Sequence, residues 1–340
     1  MREPSKRFAL ARILQSTSME SADVATTHPV PHNAAADLDS ILEGLSAEPK
    51  RLSPKYFYDE RGSELFDRIC ELPEYYPTRT ELALMREHAD TIAELVGPRA
   101  AVIEFGAGST AKIRTLLDHL VDPVAYIPVD ISADYLAKQA QELSRDYPHL
   151  TVRPVVADFT QPFRLPNHRL ASNRNLVFFP GSTIGNFSRR QALDLLEVMA
   201  FEAKHDGALL IGVDLKKDPE TLQAAYNDAA GVTAEFNKNV LVRLNRELGA
   251  DFSLQNFRHR AVYDDDHGRV EMRLVSLKPQ SVHVAGRTLD FAKGEYIVTE
   301  HSHKYSVEEF RELARRAGFE PVVTWVDADQ LFSVHYLKVQ

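Results

Sequence analysis

The chain has 340 residues, 44% hydrophobic and 26% charged, with a formal net charge of −9, which is the composition of a soluble globular protein long enough for more than one compact unit. The acidic balance argues against an extended nucleic-acid footprint, which needs clustered lysine and arginine, and no apolar run is long enough to span a bilayer. The single cysteine, Cys70, excludes an intramolecular disulfide and fits a reducing cytoplasm.

Residues 1–37 mix Ser, Thr, Pro, His and Ala without a continuous apolar stretch. They are predicted to form a mobile tail with a short helix near 8–14. Two segments, 55–59 and 73–79, then concentrate Tyr56, Tyr58, Tyr75 and Tyr76 among polar and proline residues. That pattern suits loops forming a lid better than a core.

From Ala101 the pattern alternates. Strands are predicted near 101–105, 125–130, 151–156, 176–180 and 208–214, and helices over 110–120, 133–145 and 189–203. The fold class expected is α/β, a doubly wound sheet. Ser188 and Gln191 form a capping-box pattern at one helix start, and Ser306 with Glu309 forms another before a helix ending at Gly318.

The strand ends carry the chemistry. An apolar run ending at Glu104 is followed by Gly106 and Gly108, the mark of a buried strand turning sharply into a helix and leaving room for a ligand against the backbone. Asp130 ends the next strand, where a carboxylate can accept from both ribose hydroxyls. Asp158 and Phe159 end the third, suited to an adenine amino group and ring face. Each has a plain structural competitor: Asp130 also serves as a helix cap and Phe159 as core. Taken in order and at regular spacing they point to an adenosyl ligand.

After the fourth strand, residues 180–187 include Gly181, small enough for close ligand approach, and Asn186, whose amide is free to donate because Ser188 already caps the helix. Between 215 and 305 the alternation breaks, with a long helical stretch over 218–246 and strands around 269–276 and 295–302. Tyr226 and Phe236 lie in that stretch, where packing and ligand contact are both open. The last two strand-like runs, 319–326 and 332–339, read as a terminal hairpin, which separates a class I S-adenosylmethionine-dependent methyltransferase sheet from nicotinamide dehydrogenases. The domain expectation is a tail at 1–37, a smaller α+β substrate lobe from 38–80 and 215–305, and a methyltransferase core from 81–214 and 306–340, with the substrate between the lobes.

On an extended 295–304 segment, Glu300 and Ser302 share a face. A carboxylate beside a hydroxyl brackets a ring that offers N–H on one side and a lone pair on the other, as imidazole does; an exposed polar strand face is the competing reading. His301 and His303 share the opposite face, and without a third ligand nearby no metal site is expected.

These segments, quoted as KYFYDERGSELFDRICELPEYYPTRTE, EFGAGSTAK, PVDIS, GSTIGNF, AYNDAAGVTAEFNKNVL and TEHSHKYS, resemble the histidine Nα-methyltransferase family of ergothioneine biosynthesis from about residue 38 to the end. The resemblance implies that Asn186 and Tyr226 hold a histidine α-carboxylate, that Glu300 and Ser302 read the imidazole, and that Tyr75 contacts the substrate. It places Tyr58, the catalytic candidate, near the α-amine and Phe236 and Met272 along the pocket; core packing with Val270 and Leu274 competes for Met272. For S-adenosyl-L-methionine it implies Gly106, Lys112, Asp130, Asp158 and Phe159, to which Gly181 is added. His301 is expected to face away.

The activity implied is transfer of three methyl groups to the α-amine of L-histidine, giving hercynine, in a cytoplasmic enzyme with a small-molecule substrate and no nucleic acid, membrane or obligate protein partner. The alternatives are methylation of another amino acid such as tryptophan or a derivative, and a catalytically silent methyltransferase-fold binding module.

Overall fold

The computed structural model describes residues 37–159, 165 and 172–340. The short helix expected near 8–14, and the expected tail apart from Asp37, lie outside them. In chain order the strands are β1 (Lys50–Arg51), β2 (Ala100–Phe105), β3 (Ala125–Asp130), β4 (Thr151–Val152), β5 (Val155–Val156), β6 (Arg174–Phe179), β7 (Ala208–Asp214), β8 (Phe257–Asp264), β9 (Arg269–Ser276), β10 (Gln280–Val284), β11 (Arg287–Phe291), β12 (Tyr296–His303), β13 (Phe319–Val326) and β14 (Phe332–Val339).

The larger sheet runs β13-β14-β7-β6-β2-β3-β4, with β5 also paired to β3. Its pairs from β7 to β5 are parallel, whereas β14 is antiparallel to β7 and to β13. This is the expected class I methyltransferase sheet, with its antiparallel C-terminal hairpin. Every residue of β2 and of β7 is buried, as a strand covered by helices on both faces requires. The two covering cores are built around Phe105, Phe179 and Leu196 on one side and Val102, Phe178 and Tyr336 on the other. Both capping boxes form as read, at Ser188 with Gln191 and at Ser306 with Glu309.

A second sheet, ordered β1-β12-β9-β8, packs with the helices Glu60–Cys70 and Val232–Leu248 around a third core. Across the two sheets the structure differs from the sequence-based expectation in three ways. The single helix expected over 218–246 is two, Pro219–Ala225 and Val232–Leu248. The Asp228 carboxylate accepts the N–H groups of Val232 and Thr233 at 2.9 and 2.8 Å, so it satisfies the start of a new helix. The strands β8, β10 and β11 were not anticipated, and the predicted strand 151–156 is two short pieces, β4 and β5.

The lid reading of the four tyrosines is also overturned. Tyr56, Tyr75 and Tyr76 are buried and Tyr58 is packed against the same core. Their segments are the 3-10 turn Pro54–Phe57 and the start of the helix Tyr76–Glu87, so their rings face inward, where an aromatic ring buries the most apolar area.

Candidate active site

The parallel strands end at the floor of one cavity of about 1290 Å³. At the exit of β2, Gly106 has φ +71°, and a Cβ there would stand 3.6 Å from the Phe159 ring. Phe159 in turn stacks on Phe105 with centroids 5.7 Å apart. At the end of β3 the Asp130 carboxylate accepts the Ser132 N–H at 2.8 Å, and burial raises its pKa against the lowering effect of the Ser132 backbone. Asp158 lies 3.3 Å from Lys55 Nζ, which also pairs with Asp37 at 2.8 Å.

Past β6, Gly181 donates its N–H to both oxygens of Glu81, at 3.0 and 2.9 Å, and Glu81 also pairs with Lys112 at 2.5 Å. Gly106, Lys112, Asp130, Asp158, Phe159 and Gly181 all line the cavity. A carboxylate, an aromatic face and a turn whose positive φ favours glycine fit an adenosyl group, and Lys112 fits its carboxylate end.

The opposite wall comes from the second sheet, the segments packed on its core and the turn Thr183–Asn186 after β6. Tyr58, Tyr75, Asn186 and Glu300 line it. None of the Glu300 carboxylate, the Tyr58 and Tyr75 hydroxyls or the Asn186 amide hydrogen-bonds to another described residue. Glu300 is only 9% exposed. Burial lifts its pKa to about 7, against the pull of nearby Lys304. A carboxylate so placed is costly unless something accepts its charge or donates to it.

β12 shows a bulge, its register with β9 slipping between Val298 and Glu300. Beyond the bulge the alternation holds: Glu300 and Ser302 are both buried, while His301 sits 3.2 Å from Glu271. His301 also borders the cavity as a residue, while its ring turns to Glu271. His303 is buried and its ring nitrogens have no hydrogen-bond partner among the described residues; burial first, then Arg269 and Arg189, holds its pKa down near 4.

Four expected residues stand behind the wall and not on it: Tyr226, Phe236, Met272 and Ser302. Phe236 joins an aromatic cluster with Phe57 at 4.5 Å, Tyr58 at 5.8 Å and Phe66 at 6.0 Å. Met272 is buried opposite Glu300 in the β9 pairing. Tyr226 Oη and Ser302 Oγ are 2.8 Å apart.

Both oxygens meet a group the sequence reading missed. Lys304 Nζ, wholly buried, lies 2.9 Å from Tyr226 Oη, 2.8 Å from Ser302 Oγ and 2.5 Å from Asp214 Oδ2. Asp214 also takes the Tyr76 hydroxyl at 2.8 Å and Lys217 at 2.6 Å. Burial works to raise the Asp214 pKa, but Lys304 and Lys217 outweigh it and hold it below the ordinary range. Burial works to lower that of Lys304, and Asp214 with Tyr226 reverses it, so its pKa rises. Lys304 was within reach of the alternation rule, two residues beyond Ser302 as Ser302 is beyond Glu300. Glu81, set inside a helix, carried no such signal.

A family model described as histidine-specific, S-adenosylmethionine-dependent methyltransferase matches residues 37–339. A histidine N-alpha-methyltransferase of Mycolicibacterium smegmatis is 41% identical over 84% of this chain and 90% of its own. That of Mycobacterium tuberculosis is 38% identical over the same shares, 84% and 90%. A 4-dimethylallyltryptophan N-methyltransferase of Claviceps purpurea is 25% identical over 88% of this chain and 94% of its own.

Proposed function

The chain belongs to the histidine-specific, S-adenosylmethionine-dependent methyltransferase family, and we propose on that premise that it methylates the α-amine of L-histidine three times, yielding hercynine for ergothioneine biosynthesis. The observation that carries the reading is Glu300, a buried carboxylate on the cavity wall without a hydrogen-bond partner among the described residues. An imidazole N–H is a partner of the right size and polarity for it, and an alkyl or phenyl side chain is not.

In this reading residues 38–80 and 215–305 form the substrate lobe on a core of 81–214 and 306–340. Gly106, Lys112, Asp130, Asp158, Phe159 and Gly181 hold S-adenosylmethionine, which supplies a methyl already activated on sulfonium. What remains for the chain is alignment, the largest contribution when no bond needs further activation. From the cavity wall Asn186 holds the substrate carboxylate, Glu300 the ring and Tyr75 the space around them. Tyr226 and Ser302 are assigned to the same carboxylate and ring from directly behind the wall, where Phe236 and Met272 back it.

Tyr58 orients the amine lone pair. Burial first, then Glu300, raises its pKa well above the ordinary phenol value, so its hydroxyl keeps its hydrogen and the amine proton leaves to water. An oxygen that orients without taking the proton suits three successive transfers to one nitrogen. We place the enzyme in the cytoplasm, acting without an obligate protein partner; among the described residues no helix is long and apolar enough to cross a membrane.

The test is incubation of purified protein with S-adenosylmethionine and a panel of amino acids, read by mass spectrometry. Histidine gaining three methyl groups is the expected product. Methylation of tryptophan or a derivative instead would transfer the activity to the other branch, and cofactor binding with no product would leave a silent binding module.

A further inference from the structure

Lys304 is aimed at the two hydroxyls assigned to the substrate, yet it does not reach the cavity. An ammonium has three N–H donors, and the contacts to Asp214, Tyr226 and Ser302 use all three. Lys304 therefore donates nothing to a bound molecule. It acts on the direction of other groups' hydrogens, because an oxygen that accepts from an ammonium presents a lone pair to it and turns its own hydrogen elsewhere.

Two hydroxyl hydrogens remain to be placed on Tyr226 and Ser302. A phenol is the stronger acid and the better donor, and an aliphatic hydroxyl is the better acceptor. Their 2.8 Å contact is thus made by the Tyr226 hydrogen pointing at Ser302. If Tyr226 turns to a substrate carboxylate, the Ser302 oxygen still faces Lys304. With the Tyr226 hydrogen on Ser302, both Ser302 lone pairs are taken and only its hydrogen is left for the ring. With Tyr226 turned away, Lys304 still occupies one lone pair and directs the Ser302 hydrogen away from the ammonium.

We propose that Lys304, anchored by Asp214, is a positioning residue that commits Ser302 to donate, so that Ser302 and Glu300 together accept only a neutral imidazole in a single tautomer. The inference rests on the histidine reading and deepens it. One acceptor and one donor match a ring with one N–H and one lone pair; an imidazolium, with two N–H groups, would leave two donors facing each other at Ser302. Lys304 adds a second discrimination, since a buried cation beside the ring disfavours a cationic ligand.

The experiment uses the full chain with nitrogen-15-labelled histidine and reads the ring nitrogens by NMR at about pH 8, above the ordinary imidazole pKa. The wild type is expected to show one protonated and one unprotonated nitrogen, fixed in one tautomer. Lys304→Met should lose that fixed pattern, through tautomer averaging or an imidazolium signal, and raise the histidine KM about 10- to 100-fold while kcat at saturation changes little.

Heat protection by S-adenosylmethionine reports whether the variant is folded; if it is not, Lys304→Gln, which keeps an amide donor in the same space, takes its place. An imidazolium signal in the wild type overturns the proposal without any variant. A folded Lys304 variant with the wild-type pattern and KM overturns it as well. No histidine binding by the wild type would instead remove the functional reading beneath it.

Discussion

Glu81 accepts the Gly181 N–H on both carboxylate oxygens, at 3.0 and 2.9 Å, and the same carboxylate pairs with Lys112. One buried side chain thereby ties the loop after β6 to the lysine on the helix after β2, two elements assigned to the cofactor in the proposed site. Glu81→Ala leaves the partly buried Gly181 N–H and the Lys112 ammonium without this acceptor. Removing such a partner costs about 1–3 kcal/mol, so the unfolding midpoint should fall. The Kd for S-adenosylmethionine should rise by at least tenfold in calorimetry, as Lys112 and Gly181 lose their fixed separation. Wild-type cofactor affinity in a folded Glu81→Ala protein would show that the tie is structural only.

Glu300 makes a pH-dependent prediction about stability. Its pKa is raised to about 7 by burial, above the value near 4.3 of an unfolded chain. The folded state then binds the proton more tightly than the unfolded state. That contribution is fully present below about pH 4 and is lost as pH rises through about 7. The ligand-free wild type at about pH 8 thus carries an ionised carboxylate, without a hydrogen-bond partner among the described residues, that Glu300→Gln lacks. The variant should be more stable by ~2–3 kcal/mol at pH 8, with the gain shrinking to nothing near pH 4. Denaturant titrations across that range measure it. The same substitution should raise the histidine KM by on the order of tenfold or more, the stability gained in exchange for the site.

Tyr58→Phe separates alignment from binding. The Tyr58 ring packs edge-on against Phe66 and Phe236, and phenylalanine keeps that packing while losing the hydroxyl. Turnover is expected to fall roughly tenfold, the scale of one hydrogen bond made at the reacting centre, with histidine affinity largely retained. Steady-state kinetics with varied histidine decides it. A large rise in KM with normal kcat would move Tyr58 from the amine to the binding wall.

The sheet and the cofactor side were legible because they follow local rules. Continuous apolar runs mark strands covered on both faces, and Gly106, Asp130, Asp158 and Phe159 sit at strand ends in chain order. The second core was less legible. Tyr56, Tyr75 and Tyr76 lie in short, proline-bounded segments that look like loops, and only the sheet of β12, β9 and β8 makes them interior. The network at Lys304 joins residues separated by up to 138 positions in a single contact, Tyr76 to Asp214, a distance at which periodicity says nothing. The helix break at Asp228 did have a local signal, an acidic cap followed by Gly231 in the left-handed region at φ +75°, overridden in the reading by the apolar spacing on either side.

Gly185 supplies the sharpest separation of the two halves of the site. A Cβ on Gly185 would lie 2.8 Å from the His303 carbonyl oxygen, 3.3 Å from the His303 nitrogen and 3.4 Å from Ser302 Oγ. The turn Thr183–Asn186 therefore lies directly on the backbone of β12, and this contact brings Asn186 to the strand that carries Glu300 and Ser302. Gly185→Ala cannot be absorbed by a rotamer change, since the nearest atoms are backbone. The turn must move away from β12, carrying Asn186 with it. A misplacement of that kind, on the order of 1 Å, costs about 10²-fold in an alignment-limited reaction. We expect histidine kcat/KM to fall by that order while S-adenosylmethionine affinity stays within a few-fold of wild type, since none of the Gly185 clash partners belongs to the cofactor wall. Parallel calorimetry with each ligand makes the comparison, and equal losses for both would mean that the turn serves the cofactor side as much as the substrate side.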